Sequence, residues 1–302
     1  MSSRIKLTFL GTSDSIPTAR RNHPAILLSY DGEHILFDCG EGTQRQFRKL
    51  ELNPGKITKI SITHWHGDHV LGLPGLLQTL SLTQHQKDLS LYGPKNTKYF
   101  MKKLFETFVF VDKFKLEINE VVKKGIIVNE KDFLIENELM THGTPTNAYK
   151  FIKKGLLRID KKKLEKAKIS PGKHLQQLKE GKEITINGKK YKAKDLTYRD
   201  NDIIVSIVMD TKLNNKIIPF VKNSDVLIIE SSFSDELKDK ASEHLHLTSK
   251  QAGEIAKKAN VKKLILTHIS QRYEDKMDII LNETKKVFKN SHIAHDLDIV
   301  EV

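Results

Sequence analysis

Thr63-His-Trp-His-Gly-Asp-His69 is the stretch that decides the fold, and it follows the β-like run Lys59-Ile-Ser-Ile62. Three histidines and one aspartate stand within six residues, and nitrogen and oxygen donors of this kind suit Zn²⁺. A cluster this dense can supply two ions if the chain leaves the strand on a tight turn, which Gly67 would permit. A lone histidine pair is more often a solvated polar turn, but the H-x-H-x-D-H pattern favours a metal site.

Composition limits the class of protein. The 302 residues are 38% hydrophobic and 29% charged, which is typical of a globular protein long enough to bury a sizeable core. The single cysteine, Cys39, excludes an internal disulfide and fits a reducing cytoplasm. No run approaches the ~20 apolar residues that span a bilayer, and the first apolar run is too short for a signal peptide. We therefore expect a soluble, cytoplasmic protein without a membrane partner.

The net charge of +13 is concentrated in one segment. Residues 151–200 hold 16 Lys+Arg against 6 Asp+Glu, whereas the other 252 residues hold 35 against 32. A charge run is usually only a solvated face. A segment with a net charge of +10 nevertheless predicts a polyanionic partner, such as nucleic acid or a membrane surface.

The pattern of apolar runs predicts an α/β fold. Runs that are apolar at every position, such as Ile203–Met209, indicate strands buried on both faces of a sheet. Two sheets sandwiched between helices are expected, with Thr248 as a helix N-cap. Strands are predicted at 4–10, 25–30, 34–38, 57–62, 89–92, within 115–141, and at 203–209, 226–229 and 264–267; helices are predicted at 43–50, from Leu73, and at 95–107, 248–259 and 275–288.

Candidate ligands recur where apolar strands end. His142, Asp210 and His268 each follow such a run, as the histidine cluster does. A single member such as His142 is more often a satisfied loop histidine. Because α/β folds build their sites at strand ends, the recurrence favours one shared site.

Five motifs carry a resemblance to a known family. They are Phe9-Leu-Gly-Thr12, Phe37-Asp-Cys-Gly-Glu-Gly-Thr-Gln44, Thr63-His-Trp-His-Gly-Asp-His-Val-Leu-Gly-Leu-Pro-Gly75, Tyr92-Gly-Pro94 and Leu266-Thr-His-Ile-Ser-Gln-Arg-Tyr273. In this order they resemble the ribonuclease Z (tRNase Z) family, short form, of the metallo-β-lactamase superfamily. The resemblance implies an αββα sandwich. It further implies a single metallo-β-lactamase-like catalytic domain over 1–302 with an inserted basic helical arm at about 153–198, which binds tRNA.

The resemblance also implies two Zn²⁺ per subunit, with Mn²⁺ as the alternative metal. Two cations in one site can activate water and neutralise the oxygens of a phosphodiester during an in-line displacement. Asp68 is the implied proton acceptor as well as a ligand. The implied ligands are His64, His66 and His142 for one ion, Asp68, His69 and His268 for the second, and Asp210 as the bridge between them.

Two further residues match the family's catalytic positions. His246, in Glu243-His-Leu-His-Leu-Thr248, matches the H-x-T histidine that acts on the leaving oxygen. Glu230 matches the glutamate that orients this histidine. Only the match to the family's H-x-T motif selects His246, because His244 is an equally good candidate by residue type.

The implied function is that of a zinc-dependent endoribonuclease, which cleaves the 3′ trailer from precursor tRNA, leaves a 3′-hydroxyl and acts as a homodimer. Residues 159–181 resemble the helix–turn–helix of the tRNA-binding arm. Lysine side chains there would neutralise phosphates without reading sequence. The predicted RNA contacts are Arg21, Arg272, Lys161, Lys162, Lys163, Lys166, Lys168 and Lys173.

Three alternatives share parts of this pattern. A phosphodiesterase of the same fold that acts on small or cyclic phosphodiesters shares the metals, but it does not need a remote basic surface. A thioester or lactam hydrolase needs neither that surface nor His246. A catalytically dead RNA-binding module would not need all seven ligand positions to be filled.

Overall fold

The computed structural model describes residues 4–83, 85, 87–109 and 114–302. The described strands are β1 (Lys6–Gly11), β2 (Ala25–Tyr30), β3 (Glu33–Phe37), β4 (Lys59–Ser61), β5 (Leu89–Gly93), β6 (Leu116–Glu120), β7 (Gly125–Asn129), β8 (Phe133–Met140), β9 (Thr146–Lys153), β10 (Leu157–Ile159), β11 (Ile184–Ile186), β12 (Lys189–Tyr191), β13 (Thr197–Arg199), β14 (Ile203–Val208), β15 (Val226–Glu230), β16 (Lys263–Thr267), β17 (Ser291–Ile293) and β18 (Ile299–Glu301).

The helices alternate with these strands. Short 3-10 turns lie at Pro54–Lys56, Asp235–Leu237 and Gln271–Tyr273. The described α-helices are α1 (Thr43–Lys49), α2 (Gly67–Val70), α3 (Leu73–Leu82), α4 (Thr97–Thr107), α5 (Lys161–Lys166), α6 (His174–Lys179), α7 (Ala193–Leu196), α8 (Ile217–Val221), α9 (Lys238–Glu243), α10 (Ser249–Lys258) and α11 (Met277–Val287).

Two large sheets form the core of the fold. Among the described residues, the first sheet has the order β18-β1-β2-β3-β4-β5-β6 and the second has the order β17-β16-β15-β14-β9-β8-β7. The first is antiparallel from β18 to β3 and parallel from β3 to β6, and the second is parallel from β14 to β17. The predicted hairpin turn at Asp31-Gly32 is confirmed, because both residues have a positive φ, as a two-residue hairpin requires.

The sheets pack face to face through aromatic side chains. Phe37 of β3 and Tyr149 of β9 have ring centres 5.8 Å apart, and so have Tyr30 and Phe151. Helices α1, α3 and α4 cover the outer face of the first sheet, and α8, α10 and α11 cover that of the second. The predicted αββα sandwich is therefore confirmed.

Local signals set several element ends. Thr248 caps α10 in a capping box with Gln251, as the sequence predicts. The strand predicted at 57–62 is shorter, because residues 54–56 form a 3-10 turn and the chain leaves the ladder after Ser61. The helix predicted near 95–107 begins at Thr97, after Asn96 in a left-handed conformation. None of the described helices combines the length and the hydrophobicity that a membrane span requires.

The chain divides into two compact units. The first comprises residues 1–128, 135–151 and 204–302, as far as they are described, and the second comprises 129–134 and 152–203. The second unit has its own small core, which includes Leu164, Ile169 and Leu178. Its two short sheets pair β10 with β13 and β11 with β12. The two helices expected in 159–181 are present as α5 and α6.

Candidate metal centre

Seven side chains from both large sheets converge in the first unit. Their ligand atoms form two groups, and within each group the atoms lie within 4.8 Å of one another. Asp210 belongs to both groups, as a bridging ligand must. The first group is His64, His66, His142 and Asp210, and the second is Asp68, His69, Asp210 and His268.

The segment after β4 delivers four of these side chains, though without the tight turn expected at Gly67. Residues 62–66 are irregular, and α2 then carries Asp68 and His69 on one helical turn. Gly67 begins this helix and has no positive φ. The expectation that glycine's conformational freedom makes the turn is therefore wrong. A helical turn at the end of a strand achieves the same convergence.

Two strand ends enter the centre through left-handed backbone. Asp38 follows β3 with φ 57°, and His268 follows β16 with φ 56°. This conformation costs a residue with a side chain about 1–3 kcal/mol, and such strain persists where the surroundings determine it. Here it places the Asp38 carboxylate against His69 and the His268 imidazole in the second group of donors.

The Asp38 carboxylate and the Thr63 hydroxyl hold the rings of His64 and His69. The Nδ1–H of His69 donates to Asp38 Oδ2 at 2.7 Å. The Thr63 hydroxyl donates to the same oxygen at 2.9 Å, so it accepts the Nδ1–H of His64 at 3.1 Å. In their neutral form both rings carry the proton on Nδ1, so each Nε2 then has a lone pair for a metal ion.

The donor atoms fit divalent cations. His64 Nε2 and Asp210 Oδ1 are buried and lack a hydrogen-bond partner within the described residues. His66 Nδ1 lies 3.3 Å from His142 Nε2, and two ring nitrogens this close are held together by a shared cation or proton. Imidazole and carboxylate donors in groups of four suit Zn²⁺.

The two carboxylates of the centre are held in their ionised form. Burial raises the pKa of Asp210, but the imidazoles of His268 and His69 outweigh it and hold this pKa well below its usual value. Burial also raises the pKa of Asp68, and His69 likewise outweighs it and lowers this pKa. Both groups are therefore anionic at neutral pH, as metal ligation requires.

His246, and not His244, lies against Glu230. Its Nδ1 is 3.1 and 3.0 Å from the two Glu230 oxygens, and its Nε2 is 4.0 Å from Asp210 Oδ2. Burial lowers the pKa of His246, but the carboxylates of Glu230 and Asp210 outweigh it and raise this pKa to about 10. His244 is exposed and stacks on Phe233, with ring centres 6.1 Å apart.

Glu230, His246 and His268 form a third cluster of potential ligands, which is instead a hydrogen-bond network. Glu230 is fully buried, and its Oε1 accepts the N–H of Thr211 at 2.7 Å. Its Oε2 accepts the Ser232 hydroxyl at 2.9 Å. Because both oxygens are already occupied, this carboxylate organises the cleft and does not add a ligand.

Five of the seven donor residues line a cleft of about 520 Å³, and they are His66, Asp68, His142, Asp210 and His268. The guanidinium of Arg272 lies 4.9 Å from the centre of the Phe233 ring at the mouth of this cleft. Its Nε donates to Ser270 Oγ at 3.2 Å. Arg272, predicted to contact RNA, is thus placed beside the metal centre with its side chain exposed.

Arg21, also predicted to contact RNA, lies in the interior, and that prediction is wrong. Its side chain is 3% exposed and its Nε donates to Glu274 Oε2 at 2.6 Å. One terminal nitrogen donates to the Ile269 carbonyl at 2.9 Å. Since buried acceptors use its donors, Arg21 has no free face for a phosphate. It fastens the loop before β2 to the loop after β16.

Arg21→Ala is expected to lower the free energy of unfolding by about 3 kcal/mol, because the Ile269 carbonyl loses a donor and the ion pair between the buried guanidinium and Glu274 is lost. Arg20→Ala is the matched control, since Arg20 is exposed and pairs with Asp275 and, from the solvent side, with the same Glu274. We expect it to leave the free energy of unfolding almost unchanged, because solvent screens an exposed ion pair. Urea unfolding of both variants measures the difference. Equal stabilities would contradict the structural role of Arg21.

The other predicted RNA contacts lie on the second unit. All of them are exposed, and the N-terminal end of α5 is capped by Asp160, whose side chain accepts the N–H of Lys163 at 3.2 Å. These contacts are Lys161, Lys162, Lys163, Lys166, Lys168 and Lys173.

Three residues that hold the centre escaped the sequence analysis. Asp38 follows an apolar strand, so the rule that found Asp210 also applies to it. Thr63 and Ser232 carry no comparable signal, because hydroxyl side chains are common at strand ends. Thr63 also contacts Asp38, and Ser232 contacts His268, and both of these partners are distant in sequence.

Comparisons find relatives along the whole chain. The family model for Anti-Pycsar protein Apyc1 matches residues 5–141. Ribonuclease Z of Nanoarchaeum equitans is 39% identical over 292 residues, which are 97% of this chain and 92% of that protein. Ribonuclease Z of Methanosarcina mazei is 35% identical over 301 residues, which are 99% of this chain and 98% of that protein.

Solved structures agree with the fold. Human tRNase Z, short form, superposes with a TM-score of 0.72 at 26% identity, and 98% of each chain is covered. The metallo-β-lactamase fold protein YhfI from Bacillus subtilis superposes with a TM-score of 0.73 at 20% identity over the full length of both chains. The second likeness concerns the fold alone.

Proposed function

This chain belongs to the ribonuclease Z family, and on that premise we propose that it is a zinc-dependent endoribonuclease, which removes the 3′ trailer from precursor tRNA and leaves a 3′-hydroxyl. One observation carries the proposal. Donors for two cations and the histidine held by Glu230 share a single cleft. Hydrolysis of a phosphodiester uses both features, because negative charge develops on the phosphate oxygens while the leaving oxygen takes up a proton.

The first group of donors would hold one Zn²⁺ and the second group the other, with Asp210 between them. When bound, two such ions supply a Lewis-acid clamp on the phosphodiester and activate the attacking water. Asp68 accepts the proton of that water, since its carboxylate lies at the cleft and is ionised. Mn²⁺ is the alternative occupant, because it accepts the same nitrogen and oxygen donors.

His246 is proposed to donate a proton to the departing 3′ oxygen. Glu230 holds its Nδ1, so its Nε2 is the atom that faces the cleft. Glu230 acts through the ring and is therefore a positioning residue. Water adds to the phosphorus, the bond to the 3′ oxygen breaks, and the trailer leaves with a 5′-phosphate.

His246→Ala is expected to lower kcat by about 100- to 10,000-fold with little change in KM, because a positioned proton donor is lost. His244→Ala is the comparison two residues away, and we expect it to change kcat less than about 10-fold. Single-turnover cleavage of a precursor tRNA by both variants measures the effects. A larger loss for His244→Ala would contradict the assignment and give the proton-donor role to His244.

The second unit is proposed to be the tRNA-binding arm. Its segment 151–200 carries ten more basic than acidic groups, and the predicted lysine contacts are exposed. Lysine contacts with phosphates give affinity for RNA that does not depend on its base sequence. Recognition of a folded RNA by its shape requires affinity of this kind.

We propose that the active form is a cytoplasmic homodimer. Its one cysteine, Cys39, is a buried free thiol, which suits a reducing compartment. The dimer rests on the family resemblance. Sedimentation of the purified protein at twice the 34.6 kDa chain mass supports it, and sedimentation at the single chain mass contradicts it.

The function is tested with a 3′-extended precursor tRNA, with and without a chelator. We expect a shortened tRNA with a 3′-hydroxyl, no cleavage in the chelator, and recovery when Zn²⁺ is restored. Small phosphodiesters are the comparison substrate. Cleavage of these alone would favour the small-substrate phosphodiesterase, and cleavage of precursor tRNA by the metal-free protein would exclude the metal mechanism.

A further inference from the structure

The turn after β15, Glu230-Ser-Ser-Phe233, carries a buried contact that the roles above leave unexplained. Ser232 is 1% exposed, and its Oγ lies 2.9 Å from Glu230 Oε2. The same oxygen lies 2.9 Å from Nδ1 of His268, 36 residues later in the chain. One hydroxyl therefore joins the carboxylate of Glu230 to a ligand of the metal centre.

The direction of these hydrogen bonds follows from the number of protons. The Ser232 hydroxyl has one proton and two acceptors at 2.9 Å, Glu230 Oε2 and the His268 carbonyl. A carboxylate oxygen is a stronger acceptor than a peptide carbonyl, so the proton goes to Glu230. Oγ then accepts the Nδ1–H of His268. The His268 Nε2, 3.1 Å from Asp210 Oδ1, is left with a free lone pair.

Glu230 contacts two other parts of the same cleft. It accepts the Nδ1–H of His246, and it accepts the N–H of Thr211, the residue after the bridging Asp210. Three functional elements therefore meet on a single carboxylate: the end of β14, the end of β16 through Ser232, and the loop between α9 and α10.

The opposite sheet contains the same arrangement. There the Asp38 carboxylate accepts the Thr63 hydroxyl at 2.9 Å, and this hydroxyl accepts the Nδ1–H of His64 at 3.1 Å. The carboxylate also accepts the Nδ1–H of His69 directly. In each sheet, one buried carboxylate thus holds one histidine directly and a second through a hydroxyl.

We propose that Glu230 and Ser232 position the metal ligand His268 as well as His246, so that the metal centre and the leaving-group histidine share one carboxylate. Ser232 is then a positioning residue for the second ligand group, and Glu230 positions both histidines. The inference rests on the proposed metal centre, but not on the identity of the RNA. Groups that orient a ligating histidine typically contribute 10- to 100-fold, as an order of magnitude, to metal affinity.

Ser232→Ala is expected to weaken one of the two zinc sites by about 10- to 100-fold and to leave the other within about 3-fold. Ser231→Ala is the matched control, because Ser231 is equally buried in the same turn and its Oγ has no hydrogen-bond partner within the described residues. Competition with a chromophoric chelator measures both affinities. The melting temperatures of the metal-free proteins report whether the fold itself has changed.

Two further variants separate positioning from a general structural effect. Glu230→Gln is expected to weaken the same zinc site, whereas His246→Ala leaves both zinc affinities unchanged. At saturating zinc, Ser232→Ala recovers precursor cleavage to within about 10-fold of wild type, but Glu230→Gln stays at least about 100-fold lower because His246 is still unsupported.

The possible results distinguish a failure of this inference from a failure of the proposed metal centre. If the wild-type protein does not bind two zinc ions, the centre itself is wrong. If it binds two and Ser232→Ala binds them equally well, only the positioning role of Ser232 is overturned. Equal losses in Ser231→Ala would likewise overturn it, because they would show a general effect of removing a buried hydroxyl from this turn.

Discussion

Asp68→Ala is expected to lower kcat for precursor tRNA at least about 1,000-fold while the protein stays folded. The change removes a ligand of the second group and the proposed proton acceptor together. The fold is retained because Asp68 lies on the single turn of α2 at the cleft and belongs to none of the apolar clusters that hold the two sheets. Single-turnover cleavage at saturating Zn²⁺ measures the loss, and near-ultraviolet circular dichroism checks the fold.

The matched control is Asp88→Ala. This aspartate is exposed in the first unit and pairs with Lys115 at 2.9 Å. We expect wild-type kcat and KM, since a fully exposed pair adds little to stability and Asp88 lies outside the cleft residues. Cleavage by Asp68→Ala within about 10-fold of wild type would contradict both of its proposed roles.

The convergence of the seven donors could be predicted because it follows from the topology. Neighbouring parallel strands end at the same edge of a sheet, so polar residues after β14 and β16 meet there whatever lies between them. Asp210 and His268 are adjacent for this reason, although 58 positions separate them in the printed sequence. Glu230 ends β15, which lies between these two strands, so it reaches the same edge of the sheet for the same reason.

What could not be predicted depends on burial and on hydrogen-bond direction. Arg20 and Arg21 look alike in the sequence, but one is exposed and the other is enclosed by carbonyl groups of a distant loop. Ser231 and Ser232 are equally alike, yet only the second reaches Glu230 and His268. These differences arise from the packing of segments far apart in the chain, and no local pattern encodes them.

Replacing the five lysines of the α5 region by glutamine is expected to raise KM for precursor tRNA about 100-fold at physiological salt, with kcat almost unchanged. Each exposed ammonium that contacts a phosphate releases counterions on binding, so the salt dependence of the affinity should also become shallower. We expect the slope of log affinity against log salt to fall by about 3 to 5. The five are Lys161, Lys162, Lys163, Lys166 and Lys168.

Substitution is a sharper test here than removal of the segment. Deleting 157–178 would remove Leu164 and Ile169 from the core of the second unit, so a loss of activity could reflect unfolding. Glutamine keeps the length of each side chain and has nearly the same helix propensity as lysine. Hydrolysis of a small phosphodiester serves as the internal control and should stay within about 2-fold of wild type, because that substrate has no phosphates for the arm to neutralise.

The control for net charge is glutamine substitution of a second set of five exposed lysines in the first unit, four on α10 and α11 and one just after α11. Long-range attraction between a basic protein and RNA would weaken to a similar degree in both variants. A contact surface on the arm predicts instead that only the α5 set raises KM. Equal increases of KM in the two variants would show that the second unit contributes only its net charge. If KM rises in neither variant, the lysines of the second unit do not bind the RNA. The control set is Lys257, Lys258, Lys285, Lys286 and Lys289.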